Sequence, residues 1–362
     1  MTGNINSLLF IPDISGFTEF VNETDLNHSY HIVAVLLELL IDANTLDMTV
    51  SEVEGDAILF YRYGSVPTVE EILQQARLMF VRFHEHLMKY EQHRICSCGA
   101  CRTAHRLKLK MIAHAGNIRH LTIKQHHKIY GPDVILLHRL LKNDVPSDEY
   151  LLLTEALVQQ QEEVAAPDWV KWEQNVATYP KLGAVPHRYT LLDPLYAGLQ
   201  KPAPPEPAFR SATPMMADIY IHSPPQELYE LLSNLEYRLS WQQGLKDLQY
   251  NKTRLNRLGT EHVCVLEVGK LSFETVTVQV EADEQVYGEK LRRSFIFKNQ
   301  VNYFFLRQEG AGTRLRMEIH YEKIKWPFGW LEGVLRKKMS EVQQKVLADL
   351  KTVAESMLPV PA

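Results

Sequence analysis

The sequence predicts a two-domain α+β protein, and three observations predict it. The chain has 362 residues, more than one ordinary core needs and enough for two. Lys201 to Phe209 (KPAPPEPAF) packs four prolines into nine residues, a run that cannot supply ladder hydrogen bonds and favours an extended spacer. On both sides of that run, strand-like stretches combine with amphipathic helical stretches able to cover a sheet.

In the first half, Ser7 to Ile14 (SLLFIPDI) is a mostly apolar run and reads as a buried strand that Gly16 ends. His28 to Ala43 carries Ile32, Val35, Leu36, Leu39 and Leu40 at helical spacing. Leu46 to Val53 and Ala57 to Tyr63 read as two strands joined at Glu54-Gly55-Asp56. Val69 to Gln92 is a long amphipathic helix, with Ile72, Ala76, Met79, Phe80, Phe83 and Leu87 on one face. Leu107 to His114 (LKLKMIAH) alternates like a half-buried strand. Asp133 to Leu141 is expected to be a helix after the Gly131-Pro132 break, and Tyr150 to Leu153 a short strand. From 155 to 210 the reading is a connector, with a helix near Glu155 to Glu163, a strand near His187 to Leu192, and then the proline run. The expected domains are therefore 1–154 and 211–362.

The second half opens with a strand, Met215 to Ile221. Pro224-Pro225 then starts a helix over Gln226 to Ser233, a first-turn position that proline tolerates. Strands are expected at Asn251 to Leu255, His262 to Val268, Ser272 to Ala282, Lys290 to Lys298, Val301 to Glu309 and Thr313 to Lys323. Trp330 to Met357 closes the chain as a long amphipathic helix.

Hydrophobic residues make up 45% and charged residues 23% of the chain, a globular balance that argues against disorder. The net charge of -5 gives no global pull toward nucleic acid or an anionic membrane. No apolar stretch reaches the roughly 18 residues that span a bilayer, and no signal peptide is visible. A cytoplasmic location is the expectation.

Phe10-Ile11-Pro12-Asp13-Ile14-Ser15-Gly16-Phe17-Thr18 sets a carboxylate at the end of an apolar strand, and Glu54-Gly55-Asp56 sets another at a hairpin turn. Either aspartate alone reads equally well as a turn or helix cap. With Gly131-Pro132-Asp133-Val134-Ile135-Leu136-Leu137-His138-Arg139-Leu140 they form three motifs in order. Over residues 7 to 154 that order resembles the class III adenylate/guanylate cyclases.

The resemblance implies a ferredoxin-like fold, a homodimer with the site at its interface, and a purine nucleoside triphosphate as substrate. It implies that Asp13 and Asp56 hold Mg2+ or Mn2+, and that Arg139 neutralises charge on the reacting phosphate. Ile135 stands where that family has an asparagine donor. The base-selecting positions fall on Glu52 and Lys128. A glutamate at the first goes with guanine in the family, whereas Lys128 departs from its pattern and could donate to a guanine or neutralise Glu52. In detail, Asp-Ile-Ser-Gly-Phe-Thr, Cys-x-Cys-Gly-Ala-Cys and His-Arg-Leu-Leu-Lys-Asn resemble the bacterial family DUF2652. Two readings stand: a divergent cyclase that binds and cyclises a nucleotide, or an inactive relative kept for ligand binding or regulation.

His93, Cys96, Cys98, Cys101 and His105 place five soft donors in thirteen residues. Cys96, Cys98, Cys101 and His105 could close a structural tetrahedral zinc site, or the thiols could stay reduced in a loop without metal.

The order strand, helix, strands, long C-terminal helix over residues 211 to 357, with Ile221-His222-Ser223-Pro224-Pro225-Gln226 and Trp241, resembles the START-like (SRPBCC) helix-grip superfamily. That resemblance implies a cavity for an apolar small molecule or lipid. Trp241, Phe273, Phe295, Phe297, Tyr303, Phe305, Trp326 and Trp330 are the aromatic candidates to line it, although each could equally be plain core.

Overall fold

The structure, a computed structural model, describes residues 6–22, 26–96, 98–159, 166–267, 269–278, 283–292, 298–322 and 331–357. The chain divides into two compact units: Met1–Glu91 with Cys98–Pro202, and Gln92–Ser97 with Ala203–Ala362.

The first unit runs β1 (Asn6–Ser15), α1 (Phe17–Asn22), α2 (Leu26–Asp42), β2 (Thr49–Glu54), β3 (Ala57–Arg62), α3 (Val69–His93) and α4 (Gly99–Thr103). It continues with β4 (Lys108–Asn117), β5 (Arg119–Ile123), β6 (His126–Tyr130), α5 (Pro132–Leu140), β7 (Tyr150–Thr154), α6 (Glu155–Val158), β8 (Glu173–Tyr179) and β9 (Gly183–Leu191). Seven strands form one sheet in the order β2-β3-β1-β4-β7-β9-β8. Within it, β4-β1-β3-β2 pair antiparallel, with helices between β1 and β2 and between β3 and β4. That is the split βαβ arrangement of a ferredoxin-like core, so the first unit has a ferredoxin-like α+β fold.

The pattern explains the placement. Leu8, Leu9, Phe10 and Ile11 are all fully buried because β1 is a central strand covered on both faces. The predicted stripe of α3, from Ile72 to Leu87, faces the core. β5 and β6 form a separate hairpin that was not anticipated.

The connector expected from residue 155 is corrected. β9 pairs antiparallel with β7 over Tyr150↔Leu191 to Thr154↔His187, and β8 continues the sheet beyond it. Residues up to Pro202 therefore belong to the first unit. The predicted helix through Glu163 is described only as α6, and 160–165 lie outside the described residues.

The second unit runs β10 (Met215–Ile221), α7 (Pro225–Ser233), α8 (Arg238–Trp241), β11 (Leu245–Gln249), β12 (Glu261–Leu266), β13 (Gly269–Val276), β14 (Glu284–Leu291), β15 (Lys298–Glu309), β16 (Gly312–Glu322) and α9 (Leu331–Ser356). Its seven-stranded sheet is an antiparallel meander in the order β10-β16-β15-β14-β13-β12-β11. α9 packs on it through Leu347, Leu350 and Ala354, which gives a helix-grip fold.

Two predicted strands shift. Asn251 to Leu255 is a turn, because the Asn251 side chain accepts from Thr253 N at 3.0 Å, an Asx turn that competes with a ladder; the strand is β11 just before it. The strand expected at Lys290 to Lys298 falls earlier, as β14, and 293–297 lie outside the described residues. The end of the proline run folds onto the outer sheet face: Ala208 N donates to Thr277 O at 2.9 Å, and Phe209 packs with Tyr303 and Phe305.

Candidate functional site

The hairpin register brings Asp13 and Asp56 to one corner of the first sheet. Asp13 pairs across the ladder with Ala57, and Ile14 N donates to the Asp56 carbonyl at 2.9 Å. Gly55, at φ 59°, turns the chain between β2 and β3 in a conformation that other residues rarely adopt. Asp13 is 8% exposed and Asp56 is half-buried. Burial raises both carboxyl pKa values above the usual aspartate range, and the charge of Asp56 raises Asp13 further. Lys110, opposite Asp13 on β4, opposes that rise with its ammonium 3.3 Å from the Asp13 carboxylate. Sequence reading missed Lys110, although the alternation in LKLK already set Lys108 and Lys110 on one face. The donor set suits a hard divalent ion: two carboxylates whose charges are under-compensated in a desolvated corner.

The two base-selecting positions meet each other. Lys128 Nζ on β6 lies 2.6 Å from Glu52 Oε2 on β2, and this hydrogen bond raises the exposed lysine's pKa. His138 Nδ1 lies 3.5 Å from Glu54 Oε2, so α5 sits beside the β2–β3 turn. Val134, Leu137 and Leu140 of α5 face the core. Ile135, 52% exposed, and Arg139 stand one turn apart on the outward side. Arg139 is thus presented to solvent rather than gathered to the aspartate corner.

The seat of α5 depends on Asp133, a residue given no role from sequence. Its carboxylate accepts from Asn117 N at 2.7 Å and lies 3.2 Å from His114 Nε2. Burial alone would raise its pKa, but these two hydrogen bonds hold it below the usual aspartate value. A Cβ at Gly116 would come within 2.5 Å of the Asp133 side chain, so this approach needs a glycine.

The cysteine cluster is real, but its histidine is another one. Sγ atoms of Cys96, Cys98 and Cys101 and a ring nitrogen of His28 all lie within 4.8 Å of one another. His28 Nδ1 is 3.2 Å from Cys98 Sγ and 3.5 Å from Cys101 Sγ, and Tyr90 OH is 3.0 Å from Cys101 Sγ. His105, expected as the fourth donor, is corrected. The short turn after α4 carries it toward solvent, where Nδ1 faces Glu91 at 3.8 Å. No local spacing could reveal His28, which lies 70 residues before Cys98. Donors of a tetrahedral zinc sit roughly 3.3–3.8 Å apart, given bonds of about 2.0–2.3 Å; the His28 distances to Cys98 and Cys101 come close to that spacing, and the full set spans up to 4.8 Å. None of the cysteines forms a disulfide.

The second unit holds a cavity of about 270 Å³ between its sheet and α9. Trp241 and Phe273 line it as expected, together with Phe304. Tyr303 and Phe305 do not, because neighbours of Phe304 on a strand face the other way and pack against Phe209. Phe295, Phe297, Trp326 and Trp330 lie outside the described residues.

One cavity wall is charged, a feature absent from the sequence reading. Arg238 and Glu289, 3% and 1% exposed, pair at 2.5 Å, and Tyr287 OH donates to Glu289 at 2.7 Å. Burial would raise Glu289, but the Arg238 charge, with His262 and these hydrogen bonds, holds its pKa below the usual glutamate value. His262 Nε2 stands 3.5 Å from Glu289, and desolvation lowers the imidazole pKa.

Comparison with known proteins follows the same division. Residues 33–150 match the family described as protein of unknown function (DUF2652), and residues 215–355 match polyketide cyclase / dehydrase and lipid transport. An uncharacterized protein of Mycobacterium tuberculosis is 35% identical over 127 residues, 35% of this chain and 59% of that protein; the chain thus spans about three fifths of the length of that curated relative. Among solved structures, the adenylyl cyclase CyaB from P. aeruginosa is similar at 16% identity, over 52% of this chain and 94% of its own, with a TM-score of 0.36. A START superfamily protein from Mycobacterium smegmatis is similar at 16% identity, over 40% of this chain and 99% of its own, with a TM-score of 0.31. The chain therefore joins a DUF2652 domain, in its first half, to a START-like (SRPBCC) domain of the polyketide cyclase / dehydrase and lipid transport family.

Proposed function

We propose that the first unit binds a purine nucleoside triphosphate with Mg2+ or Mn2+ at Asp13 and Asp56, and that the second binds an apolar small molecule. The observation that carries the first part is the aspartate corner, where the sheet register gathers the Asp13 and Asp56 carboxyls beside the β2–β3 turn with Lys110 as counter-charge. A divalent ion there would supply charge neutralisation for the phosphates. Asp13 and Asp56 would hold it, Glu52 would face the base edge, and Arg139 would meet the reacting phosphate from a second copy of the chain. With Ile135 in place of a hydrogen-bond donor, cyclisation is expected to run about 10²–10³-fold below that of an intact site.

A homodimer fits the surface of this unit. The elements that carry the site also expose apolar side chains: Val53 beside Glu52, Tyr130 near Lys128, and Ile135 before Arg139. A second reading, an inactive relative retained for regulation, is favoured by Lys110 and Lys128, which already pair with Asp13 and Glu52. Calorimetry with GTP or ATP and Mn2+, product analysis, and the Asp13→Ala/Asp56→Ala control separate the two. Binding without cyclic product selects the second, and no binding of either nucleotide rejects the first.

The Cys96, Cys98, Cys101 and His28 set is proposed as a structural zinc site, since four protein donors leave no open position. Metal analysis of the purified protein tests it. A cytoplasmic location belongs to the same proposal, supported by clustered thiols that suit a reducing compartment. No helix among the described residues is long and apolar enough to cross a membrane.

A further inference from the structure

The cavity of the second unit has a closed end and a mouth of different chemistry. At the closed end it is lined by Trp241, Phe273, Phe304, Met317 and Ile319, all of them buried. The Arg238–Glu289 pair is sealed into this wall: Arg238 Nε and Nη1 have essentially no accessible surface, and Glu289 is 1% exposed. Its two charges offset each other, so the pair presents no net charge to a ligand. Gln242 Oε1 is sealed in the same way.

The mouth is set by α9. Val342 lines the cavity yet is 62% exposed, so the cavity opens to solvent beside it. Lys338, one turn earlier and also exposed, lines the same opening. Its neighbours along this side of the helix are apolar: Leu335, Met339 and Val342. A lysine so placed lays its stem along the apolar wall and holds its ammonium at the rim. Among the described residues Lys338 has no ion-pair or hydrogen-bond partner, and Glu289 is the only carboxylate that lines the cavity. Glu341, three residues on, neither lines the cavity nor pairs with Lys338.

The unbalanced charge at the mouth is therefore positive. A low-dielectric cleft focuses such a charge rather than screening it. An apolar tail suits the closed end, and an anion at the end of that tail meets the ammonium. A cation there would be repelled, and a neutral head would gain nothing from the charge. The volume, about 270 Å³, holds on the order of nine carbons at roughly 30 Å³ for a group the size of a water molecule.

We propose that this cavity takes an anionic amphiphile, tail first, with its negative group at the mouth beside Lys338. The inference rests on the reading of this unit as a ligand-binding domain, and adds the charge of the ligand and the residue that selects it.

The test is isothermal titration of the full-length chain at low ionic strength with three probes of one tail length: decanoate, decan-1-ol and decyltrimethylammonium. Decanoate is expected to bind at least about tenfold tighter than the alcohol, and the cation weakest. Lys338→Glu, at an exposed position that leaves the core alone, is expected to weaken decanoate at least about tenfold, to spare the alcohol and to strengthen the cation. Lys337→Glu makes the same charge change on the same helix but outside the cavity lining, and is expected to weaken decanoate far less. The alcohol or the cation binding as tightly as decanoate overturns the inference. So does a Lys338→Glu protein that holds decanoate like the parent, or an equal effect of Lys337→Glu; ligand binding itself survives these outcomes. Failure of all three probes to bind overturns the ligand-binding reading and the inference together.

Discussion

Lys110 stands opposite Asp13 on the neighbouring strand, its ammonium 3.3 Å from the carboxylate. In the ion-free protein this lysine is the counter-charge of the aspartate corner. Lys110→Met is expected to destabilise the apo fold by about 1–3 kcal/mol, the cost of leaving a buried charged group without its partner. It is also expected to enlarge the stabilisation given by Mn2+. Thermal melts with and without Mn2+ check both; a variant as stable as the parent would show that the pair carries nothing.

The aspartate corner also sets a pH dependence. Burial raises Asp13 and Asp56 above their unfolded values, so folding takes up protons there. Their contribution is fullest below the ordinary aspartate range and is lost as pH rises through the raised values. Asp56→Asn is therefore expected to flatten the decline of apo stability on the rising-pH side, and to be the more stable protein at neutral pH. Chemical denaturation across a pH series reads this directly.

The cysteine cluster predicts a metal-dependent fold. Chelation, or His28→Ala, is expected to lower Tm by about 5–10 °C, whereas His105→Ala leaves it unchanged. Cobalt substitution supplies a second readout, a thiolate charge-transfer band that His28→Ala alters. If His105→Ala and His28→Ala behave alike, the assignment of His28 is wrong.

In the second unit, Glu289→Gln leaves the Arg238 charge buried without its partner. A loss of about 3–5 kcal/mol is expected. Because the folded Glu289 pKa is lowered, its contribution is present above the ordinary glutamate value and fades as pH falls through the folded one. The variant should therefore lose part of the acid sensitivity of that unit, measured by urea melts at stepped pH.

The sequence made the fold legible where hydrophobic period and chain order agree. The β1 strand, the α3 stripe and the α7 helix came from local pattern alone. The glycines marked the turns at Asp13 and Asp56, but only the resemblance to the cyclases paired the two, and the sheet register then brings them to one corner. What stayed hidden was long-range. His28 joins Cys98 across 70 positions, Asp133 reaches Asn117 N across 16, and Arg238 finds Glu289 across 51. Such pairs have no period, and only tertiary packing selects them. Strand phase on β15 is a subtler failure. Tyr303, Phe304 and Phe305 are alike in composition, and the face each takes was fixed by register with β14 and β16 rather than by chemistry.

The β8–β9 hairpin has a practical consequence for dissecting the protein. β9 covers β7 along Tyr150 to Thr154, and β8 then ends the sheet with a strand that is mostly exposed and polar. A fragment cut at Thr154 would leave the fully buried Tyr150-Leu151-Leu152-Leu153 strand with bare amides and carbonyls, a template for pairing with other chains. A fragment carried through Pro202 keeps its own guard strand, so solubility, not activity, is the first property that the choice of endpoint will decide.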